Sequence, residues 1–93
     1  MYIKMIEIRT FELKNKLGLH ARVAAKLVGA ARGFKSRIVL EREGREVNGK
    51  SLLGILTLAC PQGSRVTVRA EGVDALQAIE NLGELFESKF GES

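Results

Sequence analysis

The sequence predicts an α+β fold: four strands and three helices in the order βαββαβα, packed as a two-layer sandwich. Three observations carry this. Residues 65–71 alternate without a break, with Val66, Val68 and Ala70 to one side and Arg65, Thr67 and Arg69 to the other, the period of a half-buried strand. Ala21, Ala24, Ala25 and Val28 fall at i, i+3, i+4 and i+7, the spacing of one buried helix face. Ala75, Ile79, Leu82 and Phe86, with Leu76, Gly83 and Phe90, give a second and broader helical stripe at the end of the chain. With helices on one face of the sheet, two layers share one core. Pattern alone does not give the strand order.

In chain order, the first strand is expected from Met5 to Leu13. Its alternation is imperfect, because Ile6 and Ile8 point one way and Phe11 and Leu13 the other; a bulge or a frayed start would reconcile them. Asn15, Lys16 and Gly18 form the loop into the first helix, Ala21 to Arg32. Gly33 is expected to close that helix in a left-handed conformation. Gly29 inside it costs up to about 1 kcal/mol relative to alanine and suggests a close helix–sheet approach. The second strand, Lys35 to Glu41, places Ile38 and Leu40 on one face. Glu43-Gly44 is a turn signal, and Arg45-Glu46-Val47 returns as a short strand. After the Asn48-Gly49 turn, Ser51 is a good N-cap for a short helix from Leu52 to about Leu58. Pro61, Gln62 and Gly63 end that segment before the fourth strand. Asp74 starts the last helix and Gly91 closes it.

The whole chain, 1–93, reads as a single domain: no repeat, linker or low-complexity run divides it, and 45% apolar residues suffice for one core. No apolar run approaches the roughly 20 residues that span a bilayer. Met1-Tyr2-Ile3-Lys4-Met5 has no signal-peptide pattern, so a cytoplasmic location is expected. Cys60 is the only cysteine. It allows no internal disulfide and reads as a small apolar residue. The net charge of +4 is scattered among acidic residues, and aromatics make up only 5%. That argues against stacking on nucleic-acid bases and suits a basic face meeting acidic proteins.

The candidate site is Gly18-Leu19-His20-Ala21-Arg22, which holds the only histidine. A side chain at this position faces first-turn N–H groups that have no partner inside the helix, at the positive end of the helix dipole. Such a place favours phosphate. Arg22 adds a guanidinium suited to phosphate, and Lys26 lies four residues further on the same stripe. An imidazole with an unperturbed pKa of about 6.5 keeps a nucleophilic nitrogen available near neutral pH. The residues therefore point to a histidine that takes a phosphoryl group and hands it on. With no Walker-type loop and no acidic metal ligands, the chain is expected to use no cofactor or metal and to receive phosphate from another protein. It is read as a carrier, not an enzyme.

Gly18-Leu19-His20-Ala21-Arg22 resembles the phosphorylation motif of the HPr family, the histidine phosphocarriers of the phosphoenolpyruvate-dependent sugar phosphotransferase system. Asn48-Gly49-Lys50-Ser51-Leu52-Leu53-Gly54-Ile55-Leu56-Thr57-Leu58 resembles that family's regulatory serine segment. The resemblance covers nearly the whole chain. Two positions depart from it: Val23 stands where the family usually has proline, and Leu17 where many members have Ser or Asn.

The resemblance implies an HPr-like open-faced sandwich with an antiparallel sheet ordered 1-4-2-3. It implies phosphorylation of His20 on Nδ1, with the N–H groups of Ala21 and Arg22 and the Arg22 side chain receiving the phosphate. It implies phosphate donation by enzyme I and acceptance by an enzyme IIA domain, and a regulatory site at Ser51 for an HPr kinase/phosphorylase. Leu52, Leu53 and Leu56 become an apolar docking patch beside the histidine, rimmed by Arg22, Lys26 and Lys50. A monomer is expected, with no nucleic acid and no membrane insertion. The alternatives weighed are a regulatory HPr relative of the nitrogen-related branch, acting through phosphorylation-dependent protein binding, and a small basic nucleic-acid-binding domain.

Overall fold

The computed structural model describes residues 5–93; the leading stretch read for a signal peptide lies, apart from Met5, outside the described residues. Four strands, β1 (Ile6–Glu12), β2 (Arg37–Arg42), β3 (Arg45–Asn48) and β4 (Arg65–Glu71), form one antiparallel sheet in the order β1-β4-β2-β3. Helices α1 (Ala21–Ala31) and α3 (Ala75–Glu87) share a core with one sheet face, and the short α2 (Leu52–Leu56) packs beside α1 and β3. Order and class are those the sequence and the resemblance imply.

The core comes from the inward positions of the strands. In β4, Val66, Val68 and Ala70 are buried, as the alternation predicts, and so are Ile38 and Leu40 in β2. The expected irregularity in β1 is absent: Ile6 to Glu12 pair one-to-one with Glu71 to Arg65, with no bulge. Ile6 and Ile8 lie on the outer face, exposed, while Phe11 faces the core. Leu13 is buried beyond the strand end, where its N–H donates to Ser64 O at 2.8 Å. The β2–β3 turn has positive φ at both Glu43 and Gly44, 52° and 83°, which matches the twist of a two-residue hairpin.

The α3 helix buries the expected stripe at every position but Leu76, whereas α1 is rotated from the face expected of it. In α1 the buried residues are Val23, Ala24, Leu27, Val28 and Ala31, whereas Ala21 and Ala25 are exposed. Leu27 and Val23 carry more apolar area than the alanines, so they set the rotation of the helix. In α3, Ala78 is buried and Leu76 is 41% exposed. Gly33 is not left-handed: α1 ends at Arg32 in the right-handed region, and Gly33 N donates to Ala30 O at 3.1 Å. A Cβ on Gly29 would meet nothing within 4 Å, so no close approach explains that glycine. The last helix stops at Glu87, before Gly91, and a turn of 3-10 helix (Lys89–Gly91) follows. Lys89 and Phe90 have φ of 58° and 54°. This reversal sends the chain back toward the start of α1.

Candidate functional site

A short, well-fastened loop delivers His20. Gly18 has φ of 68°, and any Cβ there would collide with the carbonyl of Cys60, so glycine is needed on both counts. Buried Asn15 donates from Nδ2 to Gly18 O at 2.7 Å, and Leu19 N donates to Cys60 O at 2.9 Å. His20 follows with extended backbone, φ −82° and ψ 176°, as the N-cap of α1. Its side chain makes no capping hydrogen bond. The first-turn N–H groups of Ala21 and Arg22, which have no intrahelical acceptor, therefore remain open beside it.

The imidazole instead meets a residue that the sequence reading missed. His20 Nε2 and Glu92 Oε1 are 2.7 Å apart, and Arg22 Nη1 stands 3.7 Å from Glu92 Oε2. The His20 side chain is 27% exposed, that of Glu92 14% and that of Arg22 76%. Above all the hydrogen bond with His20, against the opposing effect of burial and with help from the charges of His20, Arg22 and Lys26, holds the Glu92 carboxyl below the usual carboxylate range. The segment carrying Glu92 is anchored on both sides. Phe90 is buried edge-on to Phe86 at 5.1 Å, Lys26 Nζ donates to Phe90 O at 2.6 Å, and Lys16 N donates to Ser93 O at 2.7 Å. Lys16, Leu17, Arg22, Gly91, Glu92 and Ser93 line a cavity of about 450 Å³. A larger one of about 510 Å³, between Arg42-Glu43 and residues 61–65, contains none of the candidate residues.

The second predicted group is arranged around α2. Ser51 is its N-cap, and its Oγ accepts from Gly54 N at 3.1 Å. Leu53 is 78% and Leu52 39% exposed, while Leu56 is partly buried against the core and Ile55 is fully buried. Of the rim cations, Lys26 is turned to Phe90 as described, and Lys50 Nζ donates to Phe34 O at 2.7 Å. Only Arg22 keeps its charge projecting into solvent. Cys60 is buried, and burial pushes its thiol up, away from the reactive thiolate. Among the described residues, no group of three or more His, Cys, Asp or Glu is placed to hold a metal, and no helix is long and apolar enough to cross a membrane.

A histidine at the head of a helix, with an arginine and open backbone donors beside it, is an arrangement suited to a phosphate. The family model described as the PTS HPr component phosphorylation site matches residues 8–88. The chain belongs to the HPr family. It is 50% identical to the phosphocarrier protein HPr of Xylella fastidiosa over 78 residues, 84% of this chain and 88% of that one. It is 43% identical to the multiphosphoryl transfer protein of Haemophilus influenzae over 92% of this chain, which spans 18% of that longer protein. The solved HPr of Thermoanaerobacter tengcongensis superposes with a TM-score of 0.90 at 48% identity, covering 94% of this chain and 98% of the other. An HPr from Bacillus anthracis gives 0.84 at 38% identity, covering 87% and 96%. HPr proteins are phosphocarriers of the phosphotransferase system and not enzymes.

Proposed function

We propose that His20 accepts a phosphoryl group from phosphorylated enzyme I and passes it to an enzyme IIA domain. The observation that carries this reading is the His20 imidazole at the N-cap of α1, with its Nε2 engaged by Glu92 and the N–H groups of Ala21 and Arg22 open beside it. A phosphate on Nδ1 would find backbone donors, the positive end of the helix dipole and, by rotation of an exposed side chain, the Arg22 guanidinium. Because the imidazole alone supplies the nucleophile, the energy for the step comes from the donor.

Docking of both partners falls to the exposed side of α2. Leu52 and Leu53 project from a helix held to the core by Ile55, with Leu56 at the edge of the patch. A small apolar surface beside a charged site suits transient contact. Ser51, at the head of that helix, is the candidate regulatory phosphorylation site. The protein is read as a cytoplasmic monomer. Incubation with enzyme I and phosphoenolpyruvate, followed by intact mass, tests the reading. One acid-labile phosphate should appear on the wild type and be absent from His20→Ala; label that persists in that variant overturns it.

A further inference from the structure

We infer that Glu92 is a positioning residue that confines phosphorylation to one nitrogen of His20, by holding the Nε2–H and leaving Nδ1 as the nucleophile. The inference rests on the reading of His20 as the phosphoryl acceptor. A neutral imidazole has one N–H donor and one bare nitrogen, and an ionised carboxylate can only accept. With Glu92 Oε1 2.7 Å from Nε2, the shared proton sits on Nε2 and the nucleophilic lone pair on Nδ1. The carboxylate also stands where a phosphorus atom would have to approach Nε2. Among the described residues, no hydrogen bond occupies Nδ1.

The same contact fits the charge that develops during transfer. As the Nδ1–P bond forms, the donor's bond to phosphorus breaks and its electron pair leaves with the donor atom. No proton has to move on His20: the ring becomes an imidazolium that keeps its Nε2–H. The positive charge then lies against the Glu92 carboxylate, a preorganised counter-charge in a partly dry place. The groups that act on that carboxylate are His20 itself, Arg22, and Lys26, which is held nearby by its hydrogen bond to Phe90 O.

A merely structural role accounts poorly for the arrangement. Phe90, Lys26 and the Lys16–Ser93 hydrogen bond already fasten the segment. Yet Glu92 Oε2 is buried with no hydrogen bond among the described residues, and only the exposed Arg22 guanidinium at 3.7 Å offsets the cost of burying it. A segment needing only an anchor would be better served by an apolar side chain.

The test uses phosphoramidate, a small donor with a P–N bond that needs no partner protein. Its P–N bond breaks, and the leaving nitrogen takes a proton from water. Wild type, Glu92→Ala and Glu92→Gln, labelled with ¹⁵N, are phosphorylated, and the nitrogen bonded to phosphorus is assigned by ³¹P–¹⁵N NMR. Wild type should carry phosphate on Nδ1 alone. Glu92→Ala should give a mixture with Nε2 substantially labelled. Glu92→Gln, whose carbonyl still accepts from Nε2–H, should keep the label on Nδ1 but react about tenfold more slowly, the factor expected for losing one charge-assisted hydrogen bond. Wild type labelled on Nε2, or an unchanged isomer ratio in Glu92→Ala, overturns the role of Glu92 while leaving the carrier reading intact. His20 unlabelled in all three proteins overturns the carrier reading and this inference with it.

Discussion

The Lys26 ammonium donates to the carbonyl of Phe90 at 2.6 Å, tying the middle of α1 to the segment that brings Glu92 onto His20. Phe90 has φ of 54°, a backbone conformation unfavourable for an L-residue. The tie and the buried ring compensate for it. Lys26→Met keeps the aliphatic stem and removes the tie. Global stability should fall by about 1 kcal/mol or less, while the amide hydrogens of Gly91 and Glu92 should exchange faster than those of α3. Unchanged exchange at both positions would show that Phe90 alone holds the segment.

Two helical glycines should respond in opposite directions to alanine. A Cβ on Gly83 would come within 2.8 Å of Phe11 Cε1, and that ring cannot retreat easily because it stacks on Phe86 at 5.0 Å. Gly83→Ala should therefore cost about 1–3 kcal/mol, the usual range for overpacking. Gly29 faces open space, so Gly29→Ala should gain up to about 1 kcal/mol through helix propensity and a less flexible unfolded chain. Urea denaturation of the two variants checks both signs.

Asp74 should contribute to the acid limb of stability. Its carboxyl accepts from Ser36 Oγ at 2.5 Å, from Lys35 N at 2.8 Å and from Ser36 N at 2.9 Å. The Ser36 hydroxyl first, and then these backbone groups, hold it below the usual carboxylate range. Because the folded value is lowered, the contribution is fully present above the unfolded pKa of about 3.9 and is lost as pH falls through the folded value. Asp74→Asn should be less stable at neutral pH, and its urea midpoint should fall less steeply below about pH 4. Parallel pH profiles would show that Asp74 is not a source of the acid sensitivity.

What the sequence disclosed and what it concealed follow from range. The alternation of β4 was legible because a strand buried on one face writes its burial into neighbouring residues, and Val66, Val68 and Ala70 are all inward. His20 was legible because a helix start, a glycine turn and an arginine fall within five residues. The rotation of α1 was misread because alanines were counted as equal to Leu27 and Val23. The stripe of α3 put Gly83 on the inward side, but the close approach expected at Gly29 is found instead at Gly83, against the distant Phe11. Glu92 is 72 residues from His20. It reaches the site through a left-handed reversal at Lys89 and Phe90 that no local pattern announces, so no sequence signal pointed to it.

Mutation can separate the capping role of Ser51 from the regulatory role proposed for it. As N-cap of α2 its Oγ accepts from Gly54 N at 3.1 Å, and removing such a cap costs about 0.5–2 kcal/mol. As a proposed regulatory site it would carry a phosphate of about −1.5 to −2 charges next to Leu52 and Leu53, the exposed leucines of the proposed docking patch. The adjacent Lys50 ammonium is held on Phe34 O, so meeting it would require giving up that bond, and an acidic partner surface offers no cation. The helix dipole tolerates the charge within the protein, so docking should fail while the fold persists. Aspartate is itself a good N-cap. Ser51→Asp should therefore keep near wild-type stability yet accept phosphate from enzyme I more slowly. Ser51→Ala should do the reverse, losing stability while accepting phosphate at close to the wild-type rate. Urea midpoints and initial rates of His20 labelling, measured on both variants, check this crossed pattern. Equal labelling rates would leave Ser51 with its capping role alone.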